Sequence, residues 1–95
     1  MVNQQQKKLL KAMAHDLKPV VIIGKEAISD NVIDSTLTSL VSHQLIKVKV
    51  LNTCPVSVLE IAYDLSSKTK ADIIQTIGRM IVLYKPSKER KKWLI

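Results

Sequence analysis

Cysteine, histidine and carboxylate side chains could do covalent or metal chemistry in this chain, but none has the company that such chemistry requires. Cys54 stands before Pro55 near an expected helix start, where a helix dipole favours a thiolate. A cysteine with no base beside it is more commonly a buried structural residue. His15 precedes Asp16 in what reads as a helix-to-strand turn, a place suited to local backbone bonding rather than proton transfer. His43 falls at an expected helix end, where a cation favours the dipole. Asp30, Asp34, Glu60, Asp64 and Asp72 are scattered over expected helix surfaces and one strand start. One cysteine and two distant histidines cannot supply the four ligands of a structural zinc, and one cysteine forms no internal disulfide. Neither a P-loop nor a dinucleotide fingerprint occurs. No catalysis, metal, cofactor or small-molecule substrate is expected.

A different chemistry, non-covalent capture of phosphate, is suggested by Gly24-Lys25-Glu26-Ala27. Glycine lets the main chain approach a ligand closely. The start of the following helix offers N–H groups and a positive dipole end, and Lys25 adds a charge there. Glu26 would repel a phosphate unless it turns away, and an ordinary β–α turn would carry the same residues.

The net charge of +7 is unevenly placed. Met1 to Lys18 holds four lysines against Asp16, or +3; Pro19 to Gly78 holds five lysines against six acids, or −1. Arg79 to Ile95 holds six basic residues against Glu89, or +5. Charge concentrated at both ends suits a polyanion, because each phosphate neutralised releases a counterion. No stretch combines a lysine face with exposed large apolar groups, so a membrane surface is not the expected partner. Lys18, Lys47, Lys49, Lys85, Lys88, Arg90, Lys91 and Lys92 are the other candidate cations, a subset of which is expected to converge with Lys25 into one basic surface. Any one of them alone reads as a solvated side chain. Arg79 could fork onto a phosphate or sit idle in a turn. Only Tyr63, Tyr84 and Trp93 are aromatic, too few for reading bases by stacking on a sheet, so recognition through backbone and shape is expected. Trp93 could stack on a base or dock onto the body.

The elements that must position these groups follow from periodicity. Leu9, Leu10, Met13, Ala14 and Leu17 form one helical stripe over Lys7–Leu17, ended before Pro19. Val20-Val21-Ile22-Ile23 fits a strand buried on both faces. Ser29 caps a helix carrying Val32, Ile33, Thr36, Leu37, Leu40 and Val41, out to about His43. Leu45–Leu51 alternates, with Ile46, Val48 and Val50 opposite Lys47 and Lys49, as in a half-exposed strand with a basic outer face. A third helix, capped by Thr53 or Cys54 with Pro55 in its first turn, carries Val58, Leu59, Ile61, Ala62 and Leu65. Asp72–Ile77 and Met80–Tyr84 read as a hairpin turning at Gly78-Arg79. The order αβαβαββ predicts an α/β (α+β) domain with a mixed four-stranded sheet packed against helices.

Ninety-five residues suit one domain, here 1–95 with a basic tail from about residue 86. No signal-peptide pattern opens the chain, and no apolar run approaches the roughly 20 residues needed to span a bilayer. A cytoplasmic protein is expected, with a monomer as the working expectation and no sequence feature that fixes the oligomeric state.

Four stretches carry a resemblance: Ala14-His15-Asp16-Leu17-Lys18-Pro19-Val20-Val21, the glycine loop after it, His43-Gln44-Leu45-Ile46-Lys47-Val48-Lys49-Val50, and Ile77-Gly78-Arg79 through Val82-Leu83-Tyr84-Lys85-Pro86-Ser87. Taken in order, they resemble the small bacterial YhbY-type proteins of the CRM group (chloroplast RNA splicing and ribosome maturation). The resemblance implies a fold similar to the C-terminal domain of bacterial translation initiation factor three, RNA binding, and association with ribosomal RNA in precursors of the large subunit. It also implies a G-x-x-G loop against the sugar–phosphate backbone, here with Ala27 in place of the second glycine. If that position needs positive φ, Ala27 costs roughly 1 kcal/mol or more; with helical dihedrals it is harmless. The expected role is an accessory factor that holds an immature subunit in a productive conformation. A general RNA chaperone, a translation regulator or a protein–protein adaptor on the ribosome are the alternatives. A winged-helix DNA binder fits less well, since no helix pair has the short turn required.

Overall fold

The computed structural model describes residues 2–86. It contains α1 (Gln4–Ala14), β1 (Val21–Ile23), α2 (Asp30–His43), β2 (Leu45–Val50), α3 (Val58–Thr69), β3 (Asp72–Ile77) and β4 (Met80–Tyr84), the expected succession. Every helix opens on a side-chain cap, which satisfies N–H groups that a first turn leaves without partners. Asn3 and Gln6 form a reciprocal box ahead of α1: Gln6 N donates to Asn3 Oδ1 at 2.8 Å and Asn3 N to Gln6 Oε1 at 3.0 Å. Val32 N donates to Ser29 Oγ at 3.2 Å ahead of α2, and Glu60 N to Ser57 Oγ at 3.2 Å ahead of α3.

Two helix starts differ from the sequence expectation. The Asn3 box starts α1 at Gln4 rather than Lys7. Ser57, not Thr53 or Cys54, caps α3, and Pro55 lies in the loop before it. Ser-x-x-Glu spacing at Ser57 and Glu60 is the stronger start signal, because hydroxyl and first-turn acid both favour that end.

The strands lie in the order β1-β2-β4-β3, with β1 parallel to β2 and the other pairs antiparallel. Gly78 and Arg79 make a two-residue turn in which the first residue has φ +56°, a conformation that favours glycine. In β3 the register shifts between Ile73 and Gln75, so Ile74 is the extra residue and turns toward α1.

The two faces of this sheet are covered differently. α2 and α3 bury one face, where Leu40, Ile61 and Leu65 pack on Val21, Ile23, Ile46, Val48, Val50, Ile81 and Leu83. α1 lies alone on the other, setting Leu10 and Ala14 against Leu45, Ile74, Val82 and Tyr84. Because one helix cannot span four strands, only part of its stripe is buried: Leu9, Met13 and Leu17 remain exposed. For the same reason β1 is not buried on both faces as its composition suggests. α1 packs on β2 and β3, and Ile22 at the sheet edge is 58% exposed between buried Val21 and Ile23.

Candidate nucleic-acid interface

β1 leaves the sheet directly into the Gly24–Ala27 turn, which is closed by Ala27 N donating to Gly24 O at 2.9 Å. Gly24 has an ordinary φ; its lack of a side chain matters for space. A Cβ there would stand 3.3 Å from Leu51 Cδ1 and 3.6 Å from Thr53 Oγ1, so the turn nestles against the exit of β2. Lys25 and Glu26 occupy the exposed tip. Ala27 has φ +55°, the left-handed region that costs a residue with a Cβ roughly 1–2 kcal/mol. The position of the second family glycine therefore does need positive φ, and this chain holds it with alanine. Ile28 anchors the turn to the core, and Ser29 then starts α2, whose positive dipole end faces the same region. Asp30 in its first turn opposes an incoming anion, as does Glu26.

Strand direction decides where the candidate cations lie. β1 and β2 run toward this turn, and β4 runs away from it. Lys25, Lys49 and Arg79 therefore belong to the turn end, whereas Lys18, just before β1, and Lys85, just after β4, belong to the opposite end. The expected gathering of both chain ends beside the turn is not what the described residues do; parallel β1 and antiparallel β4 separate them. Lys88, Arg90 and Lys91, like Lys92 and Trp93, lie outside the described residues.

Three of these cations bond to backbone carbonyls. Arg79 donates from Nε to Val50 O at 2.8 Å and from Nη2 to Leu51 O at 2.7 Å. Its fork thus holds the residue that packs against Gly24, and Leu51 N in turn donates to Ile23 O at 2.8 Å. Lys47 Nζ donates to Leu17 O at 3.1 Å and His15 O at 3.4 Å, beyond the end of α1, and Lys85 Nζ donates to Thr69 O at 2.8 Å at the end of α3. Cations in these places complement carbonyls that a helix end leaves open. Lys18, Lys25 and Lys49 are exposed. Lys18 also lines a mainly apolar groove of about 390 Å³ with Met13, Leu17, Val20, His43, Leu45 and Ile46, at the end away from the turn.

Cys54 is buried in the core. Among the described residues no group of three or more histidines, cysteines and carboxylates could hold a metal ion, and no helix is long and apolar enough to cross a membrane. Burial, with a smaller contribution from Asp72 opposite it on β3, pushes the Tyr84 hydroxyl above its ordinary pKa. Sequence reasoning found the outer face of β2 but not the exposure of Ile22 and Ile77 on the same side of the sheet, where they are 58% and 61% exposed.

Residues 2–85 match the CRS1 / YhbY (CRM) domain family. "Probable RNA-binding protein YqeI" of Bacillus subtilis is 39% identical over 92 residues, covering 97% of this chain and 96% of that protein. A Haemophilus influenzae protein named "RNA-binding protein" is 39% identical over 90 residues, covering 95% and 91%. The solution structure of the hypothetical protein SAV1595 from Staphylococcus aureus superposes with a TM-score of 0.81 at 39% identity, over 98% of this chain and 97% of that one.

Proposed function

Because the chain belongs to the CRS1 / YhbY (CRM) domain family, we propose that it binds RNA, with the Gly24–Ala27 turn set against the sugar–phosphate backbone. The observation that carries this reading is Ala27 at φ +55°. A left-handed alanine is a strained choice, and strain that persists in a turn beside a helix start and an exposed lysine points to a conformation kept for use. In this reading Lys25 and Lys49 meet phosphates, while Gly24, Glu26 and Ala27 present main chain. Arg79 is a positioning residue that holds Leu51 against the turn. Lys18, Lys47 and Lys85, away from the turn, are further proposed contacts, as are Lys88, Arg90 and Lys91, which lie outside the described residues. RNA binding is also what the names of the relatives describe.

The finer proposal is a non-catalytic, monomeric accessory factor in the cytoplasm, acting on ribosomal RNA of a large-subunit precursor. It rests on the family resemblance. Crosslinking in cells followed by sequencing of the attached RNA tests it: reads should concentrate on precursor RNA of the large subunit. Reads spread evenly over messages would support a general RNA chaperone instead. Affinity for RNA in vitro should fall steeply with salt, whereas a protein–protein adaptor would show little such dependence.

A further inference from the structure

One row of side chains crosses all four strands on the half of the sheet that α1 leaves uncovered. Ile22 lies beside Lys49, Lys49 beside Met80, and Met80 beside Ile77. Both isoleucines are more than half exposed, Lys49 is exposed and Met80 is half-buried. With strands about 4.8 Å apart, the row spans about 14 Å, a width on which four-stranded sheets elsewhere set two or three bases. Its ends adjoin the features already described, since Ile22 stands two residues before Gly24 and Ile77 immediately precedes the Gly78-Arg79 turn. On this row and the next, the charged side chains are Lys49 and Lys47; the acid of this face, Asp72, pairs with Tyr84 at the end covered by α1.

We propose that this row is a platform for unpaired nucleotides of RNA, whose bases lie on Ile22, Met80 and Ile77 while Lys49 takes the phosphate between them. The proposal deepens the RNA-binding reading and rests on it. Base faces are apolar enough to be buried against aliphatic side chains, and their phosphates need a cation within reach. An apolar row with a lysine set inside it supplies both. A rigid duplex presents its bases edge-on inside grooves and cannot lay them on a flat sheet, so the platform selects single-stranded segments. The scarcity of aromatics, which argues against sheet-borne base contacts, is met by aliphatic groups that exploit desolvation rather than ring stacking.

The test uses a stem-loop RNA and a fully paired duplex of the same length, with Ile22→Ser/Ile77→Ser and Lys25→Glu variants of the full chain. Removing the apolar row should weaken stem-loop binding about tenfold, equivalent to about 1.4 kcal/mol, and leave duplex binding unchanged. Lys25→Glu should weaken both. If the double variant binds the stem-loop like wild type while Lys25→Glu still loses it, the platform is overturned and the RNA reading stands. If wild type binds neither RNA, both fall. Photocrosslinking of wild-type protein to thiouridine in the loop is independent of variant folding: crosslinks should map to the peptide spanning Ile77 and Met80, and crosslinks confined to the Gly24 turn would count against the platform.

Discussion

One face of the sheet is closed along its length by α2 and α3, and the other is closed by α1 for half of its length and then left open. Both faces are built by the same strand alternation, so alternation alone does not separate a core from a surface for ligands. What separates them is the reach of the covering helix. Under α2 and α3, Ile61, Leu65, Val48 and Ile81 are fully buried. Beyond the reach of α1, Ile22 and Ile77 of the same sheet stand in solvent. The closed face holds the core, and substitutions in the open half should leave the chain folded.

The most severe way to test that division is Leu65→Ala. It should cost about 2–5 kcal/mol in urea unfolding, because a buried leucine loses both its transfer energy and the packing around it. Leu10→Ala under α1 falls in the same class, since Leu10 is also fully buried. Ile22→Ser should shift stability by no more than about 0.5 kcal/mol, as for exposed sites generally. A loss at Ile22 comparable to that at Leu65 would erase the distinction between the halves.

Arg79 comes next. Arg79→Ala removes two charge-assisted bonds to Val50 O and Leu51 O, and should cost about 1.5–3 kcal/mol. Lysine should restore only part, because a single ammonium cannot reproduce the fork. Should RNA affinity collapse in Arg79→Ala with melting unchanged, Arg79 would be touching the ligand and not positioning the turn.

Ala27→Gly has a smaller effect of the opposite sign. Relief of the left-handed alanine, worth roughly 1–2 kcal/mol, is partly offset by the greater freedom of glycine in the unfolded chain, roughly 0.5–1 kcal/mol. A net gain of about 0.5–1 kcal/mol in melting experiments is expected. Destabilisation would mean that Ala27 contributes contacts outweighing its backbone strain.

The succession of elements was legible because each periodic run is bounded by a punctuating residue: Pro19 after α1, Ser29 before α2, Gly78 between β3 and β4. The candidate turn was legible too, down to the question of whether Ala27 needs positive φ. What the sequence could not disclose was partnership across space. Arg79, Lys47 and Lys85 look like any exposed cations in one dimension, and only the fold brings carbonyls of Val50, Leu17 and Thr69 into their reach. Likewise Val20–Ile23 reads as a run for full burial, and nothing local reveals that β1 is an edge strand beyond α1.

The smallest expected effect probes the covered end of the α1 face. Tyr84 is buried beneath α1, and its hydroxyl has no hydrogen-bond partner among the described residues. Tyr84→Phe keeps the ring and removes a desolvated polar atom, so stability near neutral pH should be unchanged or slightly raised. At high pH the two should diverge. The folded-state pKa of Tyr84 lies above the ordinary 10.0, chiefly because burial disfavours the phenolate. Its contribution to stability is complete below the unfolded value and is lost as pH rises through the folded one, since the unfolded chain releases the proton first. Wild-type Tm should therefore fall faster than that of Tyr84→Phe above about pH 10, with Asp72→Asn reducing the difference only slightly because the carboxylate is the lesser cause. A variant clearly less stable at neutral pH would show that the hydroxyl is bonded after all, and that the helix-covered half of this face is as fully satisfied as the core on the other side.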